Sequence, residues 1–94
     1  MKTIIVTYEC KKGMREKFLA AIKAEGLDQA SRDEEGNSRY EYAFAADKAD
    51  RLFLLEKWDS EEALAKHREF PHFKRIGELK AEFVEETLFE TFET

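Results

Sequence analysis

The chain has 94 residues, with 16 Lys and Arg against 21 Asp and Glu, a formal net charge of -5, and 43% hydrophobic and 13% aromatic content. An acidic balance without any Lys/Arg-rich block leaves no electrostatic footprint for a phosphate backbone or an anionic bilayer, so neither nucleic acid nor membrane is an expected partner. Cys10, the single cysteine, cannot close an internal disulfide and has no Cys or His at metal-site spacing, which fits a reducing compartment and makes the cytoplasm the expected location.

One domain over residues 1–94 is expected at this length. Such a chain buries only about 60–65% of the surface its unfolded form exposes, so association is expected from size alone. The apolar run within Met1–Glu9 is too short for a signal peptide, and no stretch is long enough to span a bilayer.

Thr3 to Cys10 is rich in β-branched residues and reads as a strand, followed by a turn at Lys11-Lys12-Gly13. From Met14 to about Ala30, Met14, Phe18, Ala21 and Ile22 fall at helical spacing and predict an amphipathic helix. Ser31 to Asn37 is polar and reads as a loop. Ser38 to Ala46 alternates, with Tyr40, Tyr42 and Phe44 on one face, and predicts a second strand. Asp47 to Asp50 is a hairpin connection to a third strand, Arg51 to Trp58. Asp59 or Ser60 supplies the capping oxygen of the next helix, and Asp59 with Glu62 fits a capping box. That helix runs from about Glu61 to Phe70, where Pro71 ends it and opens another carrying Phe73, Ile76 and Leu79. A last strand covers Val84 to Phe92.

This order, βαββαβ, is that of an α+β, ferredoxin-like unit with helices on one face of a four-stranded antiparallel sheet. The uncovered face should be polar, yet both parities of the first, third and fourth strands carry apolar residues: Ile5 opposes Ile4 and Val6, Phe53 and Leu55 oppose Leu52 and Leu54, and Phe89 opposes Leu88 and Phe92. A second apolar face needs a cover. A homodimer with two sheets packed face to face is the expected solution, and partial covering by the C-terminal tail is the alternative.

The residues that carry a family resemblance are the turn at Gly13, Glu35-Gly36-Asn37-Ser38-Arg39-Tyr40, Glu56-Lys57-Trp58-Asp59-Ser60, Glu62-Ala63, His67 and Pro71-His72-Phe73. In that order and spacing the chain resembles the antibiotic biosynthesis monooxygenase superfamily of dimeric α+β barrels, which includes small quinol monooxygenases. Haem-degrading members place an asparagine in the first strand, a tryptophan near the position of His67 and a haem-ligating histidine about ten residues on. This chain has Val6 and Thr7, His67 and Gly77 there, so haem degradation is not expected. Autoinducer-phosphate isomerases of the same superfamily are similar through Glu34-Glu35-Gly36-Asn37, Arg39, Glu56, Glu62, Ala65, His67 and Pro71-His72-Phe73-Lys74, but favour tyrosine at position 58.

The resemblance implies a small-molecule enzyme that oxidises a phenol, hydroquinone or enolisable compound with molecular oxygen and no cofactor, His67 acting as general base. Glu56 or a tyrosine hydroxyl would orient base or substrate, Trp58, Tyr40, Tyr42 and Phe73 would form aromatic walls, and His72 joins the substrate-binding set. An isomerase of a small, phosphorylated carbonyl compound and a non-catalytic small-molecule binder are the competing readings. Each residue also has a structural reading. His67 lies on the buried face of its helix, where satisfied core histidines are common; Trp58 fits a core; Glu56 fits a cross-strand ion pair with Arg39 or Arg51; His72, beside Pro71, fits an exposed position. No metal is expected, because five residues and a proline separate the two histidines. The glycines stand scattered at 13, 26, 36 and 77, without a phosphate-binding loop, so neither nicotinamide nor flavin is expected.

Overall fold

The computed structural model describes all 94 residues, as β1 (Lys2–Cys10), α1 (Arg15–Ala24), α2 (Leu27–Arg32), β2 (Asn37–Phe44), β3 (Arg51–Trp58), α3 (Glu61–His67), α4 (Pro71–Phe83) and β4 (Val84–Glu93). The strands form one antiparallel sheet in the order β2-β3-β1-β4, the expected ferredoxin-like arrangement. Period-two alternation sends Ile4, Val6 and Tyr8 of β1, Tyr40 of β2, and Leu52, Leu54, Glu56 and Trp58 of β3 to the face under the helices. Phe18 and Ile22 of α1, Leu27 of α2, Leu64 of α3 and Ile76 and Leu79 of α4 close the core from above.

Several boundaries differ from the sequence reading. The helix expected over 14–30 is two helices, because Gly26 adopts a left-handed φ of 68° and turns the chain. α2 then extends through Arg32 into the segment read as loop. It is held there by the buried Asp28, which accepts from Lys23 at 2.9 Å and Arg32 at 3.1 Å, while Arg32 also donates to the Tyr40 carbonyl at 2.9 Å. The Asp28–Arg32 pair has the i,i+4 spacing of a helix face, but the segment carries only Leu27 as a large apolar residue, so hydrophobic periodicity does not mark it. The capping box does not form. Ser60 is the N-cap of α3, its hydroxyl accepting from the Ala63 N–H at 3.1 Å, which moves the third helical position from Glu62 to Ala63. α3 ends at His67, three residues before the predicted stop at Phe70, and Pro71 opens α4 as its first residue.

The far face of the sheet presents Ile5, Phe53, Leu55, Leu88 and Phe92, with Leu88 48% and Phe92 45% exposed. The C-terminal residues do not fold back over it; Thr94 continues the ladder beside Met1. Two charge pairs on this face, Arg51 with Glu9 and Arg39 with Glu41, are closed within the chain.

One glycine ties the helical layer to the sheet. Gly36 has φ of 90°, its carbonyl accepts from the Asp59 N–H at 2.7 Å, and a Cβ built on it would stand 2.5 Å from the Cβ of Ala63. The turn before β2 therefore seats directly on the first turn of α3. Gly36→Ala should cost about 2–4 kcal/mol, from left-handed strain together with the overlap. Urea denaturation measures it, and a loss below about 0.5 kcal/mol would show that the turn repacks freely.

Candidate active site

The turn held by Gly36 places Glu34 against the end of α3. Oε2 of Glu34 stands 2.6 Å from Nδ1 of His67 and 2.7 Å from Nε2 of His72. The side chains of Glu34 and His67 are almost wholly buried, and that of His72 is mostly so. An ionised carboxylate only accepts, so both ring nitrogens facing it are N–H donors. His67 thus carries its proton on Nδ1 and leaves Nε2 without a protein partner. The other oxygen of Glu34, Oε1, is buried with no hydrogen bond at all.

His72 reaches this carboxylate because Pro71 restarts the helix. The two histidines, five residues apart with a proline between, meet at one oxygen, so the position beside Pro71 is not exposed. The three ligand-type atoms lie within 4.8 Å of one another. The 2.6 and 2.7 Å contacts to Oε2 are hydrogen-bond lengths, tighter than the roughly 3.3 Å between donors sharing one tetrahedral zinc.

A second carboxylate approaches from the sheet. Glu56 and Trp58 share a face of β3, and the indole N–H of Trp58 donates to Oε1 of Glu56 at 2.9 Å. The ion pair expected for Glu56 is absent: Arg39 and Arg51 point to the opposite face and pair with Glu41 and Glu9. The indole lies 4.6 Å, centroid to centroid, from the His67 ring, which is also contacted edge-on by Phe73 at 5.2 Å and Tyr40 at 6.0 Å.

Two adjoining cavities of about 180 and 150 Å³ open beside this cluster, and Glu56, His67, Phe73 and Phe89 line both. The first reaches Arg68 and Thr91; the second reaches Tyr8, Tyr40, Ile76 and Lys80. They lie between helices and sheet. Of the aromatic residues singled out from sequence, Tyr40 and Phe73 form wall. Trp58, with 0% exposure, stands behind Glu56 and His67, and Tyr42 stands behind Tyr40 with its hydroxyl buried and unpartnered. His72 meets the site only through Glu34. A larger depression of about 410 Å³ on the outer side of Glu34, edged by Glu35, Asp59, Glu62 and Lys66, touches neither His67 nor Glu56.

Glu34, Arg68 and Lys80 were not selected from sequence. Glu34 lay in a polar stretch read as loop, and its only signal was its place in the segment that resembles the isomerases.

Burial decides which groups exchange protons near neutral pH. Desolvation lowers the pKa of His67, outweighing the opposing pull of Glu34, so the ring is neutral at pH 7. Desolvation raises Glu56 to about 6, the Trp58 N–H and the Arg68 charge opposing it. Burial likewise raises Tyr40 to about 12 and holds Tyr8 and Tyr42 well above 10, so the phenols keep their protons. The bases facing the cavity are therefore the free Nε2 of His67 and the carboxylate of Glu56.

The raised Glu56 has a consequence for stability. Its folded pKa, about 6, exceeds its ordinary 4.5, so the folded state binds the proton more tightly. That advantage is present below pH 4.5 and is lost as pH rises through 6, leaving a buried charge worth about 2 kcal/mol against folding. Glu56→Gln, which keeps an acceptor for Trp58, should stabilise the protein by about 1–2 kcal/mol at pH 8 and have no effect at pH 4. Denaturant titration at the two pH values checks this, and a Gln variant less stable at pH 8 would contradict it.

Comparison with known proteins agrees with this architecture. The family model for antibiotic biosynthesis monooxygenases matches residues 1–79. YcnE of Bacillus subtilis (strain 168), itself only provisionally a monooxygenase, is 40% identical over 60 residues, which is 64% of this chain and 61% of YcnE, so the match spans less than two thirds of that relative. Two solved structures superpose over nearly the whole chain. A Bacteroides thetaiotaomicron protein of unknown function has 28% identity and a TM-score of 0.87, covering 99% of this chain and 96% of its own. A Nitrosomonas europaea protein, provisionally placed among the antibiotic biosynthesis monooxygenases, has 24% identity and a TM-score of 0.89, covering 100% and 98%, a likeness of fold. With more than half of its length matched by the family model, the chain belongs to the antibiotic biosynthesis monooxygenase family.

Proposed function

We propose that this protein is a cofactor-independent monooxygenase acting on a small phenol, hydroquinone or similarly enolisable compound. The observation that carries the reading is the pairing of His67 Nδ1 with Glu34, which leaves Nε2 as an unprotonated base on the wall of a cavity lined by Tyr40, Phe73 and Phe89. A substrate hydroxyl, or a C–H beside a carbonyl, gives its proton to Nε2. The resulting anion is electron-rich enough to reduce dioxygen itself. One oxygen atom bonds to carbon, the O–O bond breaks, and the other leaves as water; for a phenol, phenol plus O2 gives quinone plus water. Glu34 stabilises the imidazolium that forms. Glu56, held by Trp58, faces the same cavity and orients the substrate hydroxyl.

Oxygen-electrode screening against hydroquinones and small phenols tests this directly. The wild-type protein should consume one O2 per product. His67→Gln, whose amide N–H can still meet Glu34, should keep the fold and lower turnover by about 10²–10⁴-fold. Turnover unchanged in the variant would remove His67 from the mechanism, and product formed by the wild type without oxygen uptake would identify an isomerase instead.

We also propose that the working unit is a homodimer whose far sheet faces pack together. What supports it is the apolar set Ile5, Phe53, Leu55, Leu88 and Phe92 on one face, where two of the charge pairs, Arg51 with Glu9 and Arg39 with Glu41, are closed inside the chain. The buried Cys10, its thiol pushed up to about 11 by burial, fits a cytoplasmic setting. Light scattering at micromolar concentration should give about 22 kDa, twice the 11.0 kDa of one chain. A mass near 11 kDa would overturn the dimer.

A further inference from the structure

Lys80 is an ammonium without an ion pair on the wall of a cavity lined mostly by apolar side chains, and its other side borders an open depression edged by Glu85 and Glu86. It lies on α4 at the seventh position after Phe73 and the fourth after Ile76, so the three share one helix face and line the same void. The residue is half-buried, and the only resolved influence on its charge is burial, which lowers its pKa. What surrounds Nζ instead is aromatic: the Tyr8 ring at 5.9 Å and the Phe89 ring at 5.7 Å. By contrast Lys2 and Lys23 close on carboxylates at 2.8–2.9 Å. Glu56 lines the same cavity but is not within ion-pair reach of Lys80; its oxygen is held by Trp58, and Arg68 supplies the positive charge felt by that carboxyl.

A partly desolvated cation held beside ring faces, with an empty volume in front of it, is arranged for an anion supplied from outside. We infer that Lys80 binds a carboxylate substituent of the substrate, so that among the phenols, hydroquinones and enolisable compounds proposed above the site prefers those that also carry a carboxylate. The charge chemistry favours a carboxylate over a phosphate: Lys80 is the only Lys or Arg on this cavity and the Glu56 carboxyl lines it too, so the wall balances at most a single added negative charge. The volume of about 150 Å³ suits one ring and its substituent. The carboxylate at Lys80 and the acidic proton at His67 then sit at two separate points of the wall, fixing the ring between Tyr40 and Phe73 for proton removal. This assignment rests on the reading of His67 as base for its orientation of the ligand, but its test is a binding measurement and needs no turnover.

Isothermal titration calorimetry with 2,5-dihydroxybenzoate and its uncharged amide, 2,5-dihydroxybenzamide, separates the charge from the ring. Wild-type protein should bind the benzoate about tenfold or more tightly than the benzamide. Lys80→Gln should lose that preference, to within about twofold, while leaving benzamide binding unchanged, and Lys80→Arg should retain it. His67→Gln, which keeps an N–H toward Glu34 but has no basic nitrogen, should still prefer the benzoate, which distinguishes a failure of Lys80 from a failure of the base. Equal binding of the two probes by the wild type, a preference that survives in Lys80→Gln, or no binding of the benzoate at millimolar concentration would each overturn the assignment.

Discussion

One carboxylate oxygen, Oε2 of Glu34, holds the end of α3 and the start of α4 in a single arrangement by accepting from His67 and His72 together. A buried carboxylate is costly unless its charge is met by donors, and here two imidazole N–H groups from two different helices meet it. The consequence is chemical as well as structural. Because Nδ1 of His67 is committed to Glu34, the lone pair that remains on the ring is on Nε2, beside the cavities. The orientation of the base, its tautomer and the junction of the two helices are thus one interaction.

The surrounding structure serves that interaction at some expense in stability. Glu56 is 6% exposed and raised to about 6, and Glu34 keeps an oxygen with no partner. Groups of this kind are seldom retained for folding alone; a hydrophobic or amide residue of similar size would fill the space with less penalty. Trp58 limits the expense by giving Glu56 a hydrogen bond and packing its indole against His67. The tyrosines take no part in proton exchange near neutral pH, since burial keeps Tyr40 and Tyr42 protonated, and their contribution is shape.

Element order and the apolar faces were legible in the sequence because both depend on local periodicity. The alternation in β1 and β3, the proline that opens α4 and the helical spacing of Phe73, Ile76 and Leu79 all read correctly. His67, Glu56, Tyr40 and Phe73 were recognisable as one neighbourhood for the same reason: each lies on an inward face of its element. Glu34 was not, because its burial comes from the left-handed turn at Gly36 and from contacts with residues 33 and 38 positions away. Trp58 fits either a core or a cavity wall by sequence; the structure puts it in the core behind Glu56, a distinction set by how far the cavity extends past Glu56. Distance along the chain also misled for His72, where a proline that breaks one helix and starts another folds five residues into a short return.

The account depends on the tautomer of His67, which long-range ¹H–¹⁵N spectra of the histidine rings report without any substrate. At pH 7.5 the account predicts a neutral His67 ring with its proton on Nδ1 and an unprotonated Nε2. A ring protonated on Nε2, or an imidazolium persisting at that pH, would contradict it, because the nitrogen facing the cavity would then have no lone pair with which to take a proton.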